Sequence, residues 1–186
     1  VFSLTGESRN ATAGRIAHRL GLMGPSLVVD TDRSSSLVAV HLACQALQSG
    51  DCDIAIAGGT NLVLSPERSL PLSRARMLAP DGRCKFGDAS ADGIVRSEGI
   101  GFVILKPLAK ALKDGDRIYA VVRGGAVVHG GSGESDITAP SADGQIRLLE
   151  TALKNSKTKP AQIKYVEAHG TGTPAGDLAE LNALGE

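Results

Sequence analysis

The feature that most constrains this chain is the run of residues 28–44, which changes from an apolar strand pattern to a helical pattern across one short polar turn. Apolar residues recur there, and just beyond, at the spacing of one helical face: Leu37, Val40, Cys44 and Leu47. Ser34 or Ser35 is expected to cap the helix and to aim backbone N–H groups at one spot. Several enzyme folds present a nucleophile on such an elbow, so residues 30–36 are a candidate catalytic turn.

Strand and helix patterns mix along the whole sequence. Apolar strands are expected at 26–30, 53–58, 100–106, 118–128 and 163–168, and helices at 12–20, 34–49, 107–113, 143–156 and 176–185. This mixture predicts α/β layers with a largely parallel, buried sheet. Residues 66–98 read as a loop that is long for a compact domain, and such loops are usually functional or form interfaces.

Composition excludes several classes of function. The charges of twenty basic and twenty acidic residues cancel, so the sequence shows no basic footprint for nucleic acid. Five aromatic residues without Trp also argue against a surface on which bases could stack. No apolar run approaches the roughly 18 residues of a membrane span, and no secretory leader is visible, so we expect a cytoplasmic location away from membranes. The first residue, Val1, is expected to mark a fragment of a larger protein.

Cysteine usage favours reduced thiols. Cys44, Cys52 and Cys84 are odd in number and irregularly spaced, which argues against a disulfide framework and against a metal site. A calcium loop beginning at Asp88 also fails, because Gly99 stands where an EF-hand needs its twelfth-position Glu. We therefore expect no metal.

A second motif occupies residues 166–177, where the pattern predicts a strand that leads to His169, then a glycine-rich loop and a helix. A neutral imidazole can donate a hydrogen bond to a developing enolate, and hydroxyls beside glycine backbone can hold a slim, amide-bearing arm. A dinucleotide site is the rival interpretation. The glycine spacing from Gly170 through Gly172 to Gly176 does not fit the Gly-x-Gly-x-x-Gly pattern that such a site requires.

Both motifs resemble the β-ketoacyl synthases of fatty-acid and polyketide assembly. Residues 167–173 match the family signature Glu-Ala-His-Gly-Thr-Gly-Thr, and residues 30–37 resemble its Asp-Thr-Ala-Cys-Ser-Ser-Ser-Leu. Asp32 and Arg33 stand where the family has Ala and the nucleophilic Cys. Further similar stretches, at 62–67, 75–85, 91–99 and 138–141, favour the modular type I polyketide synthases.

The resemblance implies an incomplete thiolase-like α/β fold, with helices packed on mixed, mostly parallel sheets. Residues 1–112 would be the end of the N-terminal ketosynthase half and residues 116–186 the start of the C-terminal half. The family's later Lys and second His would lie beyond Glu186. The family reaction is decarboxylative Claisen condensation of an acyl thioester with a carrier-bound malonyl unit.

The resemblance also assigns roles and partners. Arg33 takes the nucleophile position, His169 assists decarboxylation by hydrogen-bonding the thioester carbonyl, and Thr171 and Thr173 line the phosphopantetheine arm of the carrier. That arm is a substrate carrier, and no bound cofactor is expected. Implied partners are an acyl carrier protein, malonyl and acyl thioesters, and a second copy of the domain in a homodimer.

Arginine at position 33 alters the expected chemistry. Its guanidinium stays protonated and has no lone pair for attack, so we expect no acyl transfer to this chain. Ser34 is expected to be structural, and Cys44 lies about three helical turns away. Three hypotheses stay open: an active domain altered at positions 32–33, a non-elongating domain that binds carriers or decarboxylates malonyl units, and a dimer scaffold.

Overall fold

The computed structural model of the chain describes residues 5–6, 8–130 and 139–186. In chain order its elements are α1 (Asn10–Leu20), α2 (Ser35–Ser49), β1 (Ala55–Asn61), α3 (Ser69–Arg74), β2 (Gly99–Leu105), α4 (Leu108–Asp114), α5 (Ala142–Ser156), a 3-10 turn (Pro160–Gln162) and α6 (Pro174–Gly185). They form two compact units, one drawn from residues 1–60 and 99–121, the other from residues 61–98 and 122–186. The division of the ketosynthase halves near residues 112–116 stays a prediction.

In the first unit, β1 and β2 pair as a two-stranded antiparallel sheet. The strands approach closely at Gly58, where an added Cβ would lie 2.1 Å from the carbonyl oxygen of Gly101. The start of α2 packs on the same strand, since a Cβ at Gly59 would lie 2.9 Å from the Cβ of Ser36. Two small residues in β1 therefore let the sheet support the turn that precedes α2.

In the second unit, α5 packs against α6. Ser141 caps α5, because its Oγ accepts a hydrogen bond from the amide of Gly144 at 3.0 Å. Near the other end of α5, Asn155 donates from Nδ2 to the carbonyl oxygen of Gly125 at 2.9 Å. The residues before α6 form an irregular loop, residues 169–173, which contacts residues 84–93.

The five helices expected from periodicity are all present, with boundaries within two residues of expectation. Strands form at two of the five expected places, as β1 and β2. The segments 26–30, 118–128 and 163–168 contain no strand, because a strand exists only through hydrogen bonds to a neighbour and these described segments carry no ladder partner. Within the long loop, α3 was not expected; its six residues include Pro71 and are too short to show a period.

Among the described residues, no helix is long and apolar enough to cross a membrane.

Candidate active site

The turn before α2 is closed by its own serine hydroxyls. Ser34 holds the N-cap position, but its Oγ donates to the carbonyl oxygen of Thr31 at 2.8 Å and makes no bond to a helix amide. The Oγ of Ser35 accepts from the amide of Thr31 at 2.9 Å and donates to the carbonyl oxygen of Asp32 at 2.6 Å. Ser34 is therefore the N-cap residue of α2, as expected, but it makes no side-chain cap hydrogen bond, and both hydroxyls stabilise the turn instead.

Arg33 is paired with the residue before it. Its Nη1 lies 2.6 Å from Oδ2 of Asp32, and the two side chains are 48% and 77% exposed. Asp32 has φ +56°, the left-handed region that aspartate enters more readily than most residues. Arg33 is therefore neither a buried charge nor an unpaired one. Such an exposed ion pair contributes only about 0–1 kcal/mol to stability.

The loop of His169 is held at its amides by a carboxylate from α6. The amides of His169 and Gly170 donate to the two carboxylate oxygens of Glu180, at 2.6 and 2.8 Å. Gly170 and Gly172 have φ +54° and +74°, a conformation that favours glycine. The backbone that carries His169 is therefore fixed from the helix that follows it, while the His169 residue itself is exposed.

A second carboxylate of α6 ties this loop to another segment. Asp177 is only 5% exposed; its Oδ1 accepts from the amide of Gly172 and its Oδ2 from the amide of Gly87, each at 3.0 Å. Asp177 and Glu180 are three positions apart and so share one helix face. Sequence reasoning treated Asp177 only as a helix start and missed Glu180. The available signal was a pair of acids at helical spacing directly after a glycine loop.

The structure brings Thr171 and Thr173 together. Their Oγ1 atoms lie 3.1 Å apart, both residues are half-buried, and a Cβ at Gly176 would lie 2.4 Å from Oγ1 of Thr173. These hydroxyls and His169 thus belong to one loop of the second unit. Arg33 belongs to the first unit.

Two further residues, Cys44 and Glu98, have the properties of structural rather than catalytic groups. Burial raises the pKa of the Cys44 thiol, which disfavours the nucleophilic thiolate. The carboxylate of Glu98 accepts a hydrogen bond from the amide of Val63, which is a structural contact. Within residues 5–6, 8–130 and 139–186, no cluster of three His, Cys, Asp or Glu residues could hold a metal ion.

Two family models together match most of the chain: "Beta-ketoacyl synthase, N-terminal domain" over residues 1–111 and "Beta-ketoacyl synthase, C-terminal domain" over residues 119–186. A phenolphthiocerol/phthiocerol polyketide synthase protein of Mycobacterium tuberculosis is 57% identical over 180 residues, which are 97% of this chain and 8% of that protein. Polyketide synthase ThaG of Burkholderia thailandensis is 49% identical over 184 residues, 99% of this chain and 3% of that protein.

Solved structures agree with these relatives. The oxazolomycin ketosynthase domain from Streptomyces albus superposes with a TM-score of 0.93 at 42% identity, covering 98% of this chain and 32% of that one. The ketosynthase from module 6 of the bacillaene synthase of Bacillus subtilis superposes with a TM-score of 0.92 at 44% identity, covering 97% and 32%. The chain thus spans about a third of these ketosynthase chains. The expected thiolase-like fold is confirmed, and the chain belongs to the β-ketoacyl synthase family, among the ketosynthase domains of modular polyketide synthases.

Proposed function

We propose that this chain is part of a polyketide synthase ketosynthase domain that does not form an acyl-enzyme. The observation that carries the proposal is the side chain of Arg33, whose guanidinium lies 2.6 Å from the carboxylate of Asp32, at the position that the family signature assigns to the nucleophile. The family reaction is decarboxylative condensation of an acyl thioester with a malonyl unit on a carrier protein. This chain retains the loop for the malonyl half of that reaction and lacks the thiol for the acyl half.

Acyl transfer needs a thiolate that attacks the acyl thioester carbonyl and expels the carrier thiol. Arg33 has no lone pair for that attack. The neighbouring hydroxyls of Ser34 and Ser35 donate to backbone carbonyls of their own turn, and among the described residues neither bonds to a group that could remove its proton. None of the three side chains can therefore take an acyl group.

Malonyl decarboxylation is a second candidate, favoured by the His169 loop, whose amides are held by Glu180 and Asp177. In this step the neutral imidazole of His169 donates a hydrogen bond to the malonyl thioester carbonyl. The carbon–carbon bond to the carboxylate breaks, carbon dioxide leaves, and the electron pair of that bond forms the enolate. Protonation of the enolate by water gives the acetyl thioester.

The loop also supports a role for the carrier arm. The hydroxyls of Thr171 and Thr173, 3.1 Å apart beside a glycine, suit the amides of a phosphopantetheine arm. The proposed partners are therefore an acyl carrier protein bearing malonyl or acyl thioesters and a second copy of the domain. We propose a cytoplasmic setting for this assembly.

The first experiment asks whether an acyl-enzyme forms. The full-length protein is incubated with a radiolabelled acyl-carrier thioester, and the label is mapped by peptide mass spectrometry. The unaltered protein is expected to carry no adduct in residues 30–36, while the double variant Asp32→Ala, Arg33→Cys gains one at position 33. Adding Cys44→Ala to the double variant controls for the other thiol of this segment. An adduct in residues 30–36 of the unaltered protein would overturn the proposal.

The second experiment follows release of labelled carbon dioxide from malonyl-carrier protein. Release above the buffer rate that is lost in His169→Ala, and kept in the matched control His18→Ala, supports decarboxylation. Carrier binding without release would reduce the function to carrier binding. Dimerisation without either would leave only a scaffold.

A further inference from the structure

A segment far from the His169 loop in sequence forms hydrogen bonds with the carbonyl groups of that loop. We call residues 81–93 the strap. The amide of Gly93 donates to the carbonyl oxygen of Gly172 at 3.0 Å, and the thiol of Cys84 donates to the carbonyl oxygen of Gly170 at 3.2 Å. The strap therefore holds the carbonyl groups of the loop, whereas α6 holds its amides.

The contact between strap and loop leaves little room for a side chain at Gly170 or Gly172. A Cβ at Gly172 would lie 3.1 Å from both the carbonyl oxygen of Gly93 and the amide nitrogen of Lys85. A Cβ at Gly170 would lie 3.2 Å from the ring of Phe86. Both glycines combine wide conformational freedom with positive φ, so the backbone after His169 depends on these external contacts for a single geometry.

The strap is closed on itself by one lysine. Nζ of Lys85 lies 3.0 Å from both carboxylate oxygens of Asp81 and 2.8 Å from Oδ1 of Asp92, and the side chain of Lys85 is only 19% exposed. The hydrogen bonds that Lys85 donates to Asp92 and Asp81 raise the pKa of Lys85. Lys85 thus joins Asp81, at the beginning of the strap, to Asp92, near its end. Cys84 and Phe86 lie between these two aspartates in sequence.

We propose that the strap positions His169, with Cys84 and Lys85 as its positioning residues. Cys84 acts by fixing the carbonyl of Gly170, the residue next to His169, and Lys85 acts by keeping the strap closed. Only the catalytic consequence of this proposal rests on the proposed decarboxylation. The structural consequence, order in residues 168–173, is independent of it.

The test measures deuterium exchange of peptides covering residues 168–173 in the full-length protein. Loss of one hydrogen bond in Cys84→Ala is expected to speed exchange there by about 2- to 10-fold. Cys84→Ser, which keeps a donor, is expected to recover part of the protection. Lys85→Met should also speed exchange, while the matched controls Cys52→Ala and Lys164→Met should not.

The same variants are then assayed for carbon dioxide release. A positioning role predicts a lower kcat with little change in KM for Cys84→Ala, and recovery of kcat in Cys84→Ser. Unchanged exchange at 168–173 in both Cys84→Ala and Lys85→Met would overturn the proposal. Equal acceleration in peptides of α1 would also overturn it, because that result means general destabilisation. Altered exchange in a protein that releases no carbon dioxide would uphold the strap and reject decarboxylation.

Discussion

Removing the carboxylate of Asp177 is the sharpest test of how the His169 loop is held. This side chain is 5% exposed and accepts hydrogen bonds from the amides of Gly172 and Gly87, each at 3.0 Å. The Asp177→Ala variant leaves both amides without that acceptor. Most of the cost falls on the loop, because α6 keeps its own backbone hydrogen bonds and loses only the interaction of Asp177 with the helix dipole, about 0.3–1 kcal/mol.

The magnitude follows from the burial of the two amides. Gly172 is buried, so its unpaired amide costs about 1–3 kcal/mol, while the amide of exposed Gly87 gains water and loses about 0.5–1 kcal/mol. The sum, about 1.5–4 kcal/mol, corresponds to exchange faster by about 10- to 700-fold at one decade per 1.4 kcal/mol. Asp177→Asn keeps one acceptor oxygen and is expected to lose about half of that free energy.

Hydrogen exchange of the peptide covering residues 169–173 measures this local opening directly. The matched control is Asp143→Ala, since Asp143 is an exposed aspartate in the first turn of α5. It should lose only the interaction with the helix dipole, about 0.3–1 kcal/mol. If Asp143→Ala speeds exchange of residues 169–173 as much as Asp177→Ala does, the two amide hydrogen bonds do not hold the loop and the reasoning fails.

Two further predictions concern the sheet and the strap. Gly58→Ala should destabilise the protein by about 1–3 kcal/mol or more, because its Cβ would lie 2.1 Å from the carbonyl oxygen of Gly101. Gly101→Ala should be nearly neutral in thermal unfolding, because no atom of the described residues lies within 4 Å of the added Cβ. Equal effects of the two substitutions would contradict this strand packing. Hydrogen bonding to Lys85 lowers the pKa of Asp81 from its ordinary 3.8, and the pKa of Lys85 is raised from 10.5. The strap's stabilisation should therefore be lost as pH falls through the lowered pKa of Asp81, or as pH rises through the raised pKa of Lys85. The exchange difference between the unaltered protein and Lys85→Met should be largest between these limits, and a difference that persists at a pH well below the lowered pKa of Asp81 would refute the assignment.

Local sequence patterns determined the helices and the family. Helical periodicity needs only residues three and four apart, so all five expected helices formed close to their expected bounds. The two signatures, at residues 30–37 and 167–173, are continuous in sequence and were visible without any structure. The departure from the family signature at Arg33 was equally visible, because it concerns the identity of one side chain.

Only the tertiary structure decided what holds those signatures in place. The thiol of Cys84 meets Gly170 across 86 positions and Asp177 meets Gly87 across 90, separations at which no periodicity carries information. Strands followed the same rule, since their hydrogen bonds must be made to another part of the chain. Local patterns thus predicted which residues carry the chemistry of the family, and long-range hydrogen bonds decided which neighbours contact the loop that holds His169.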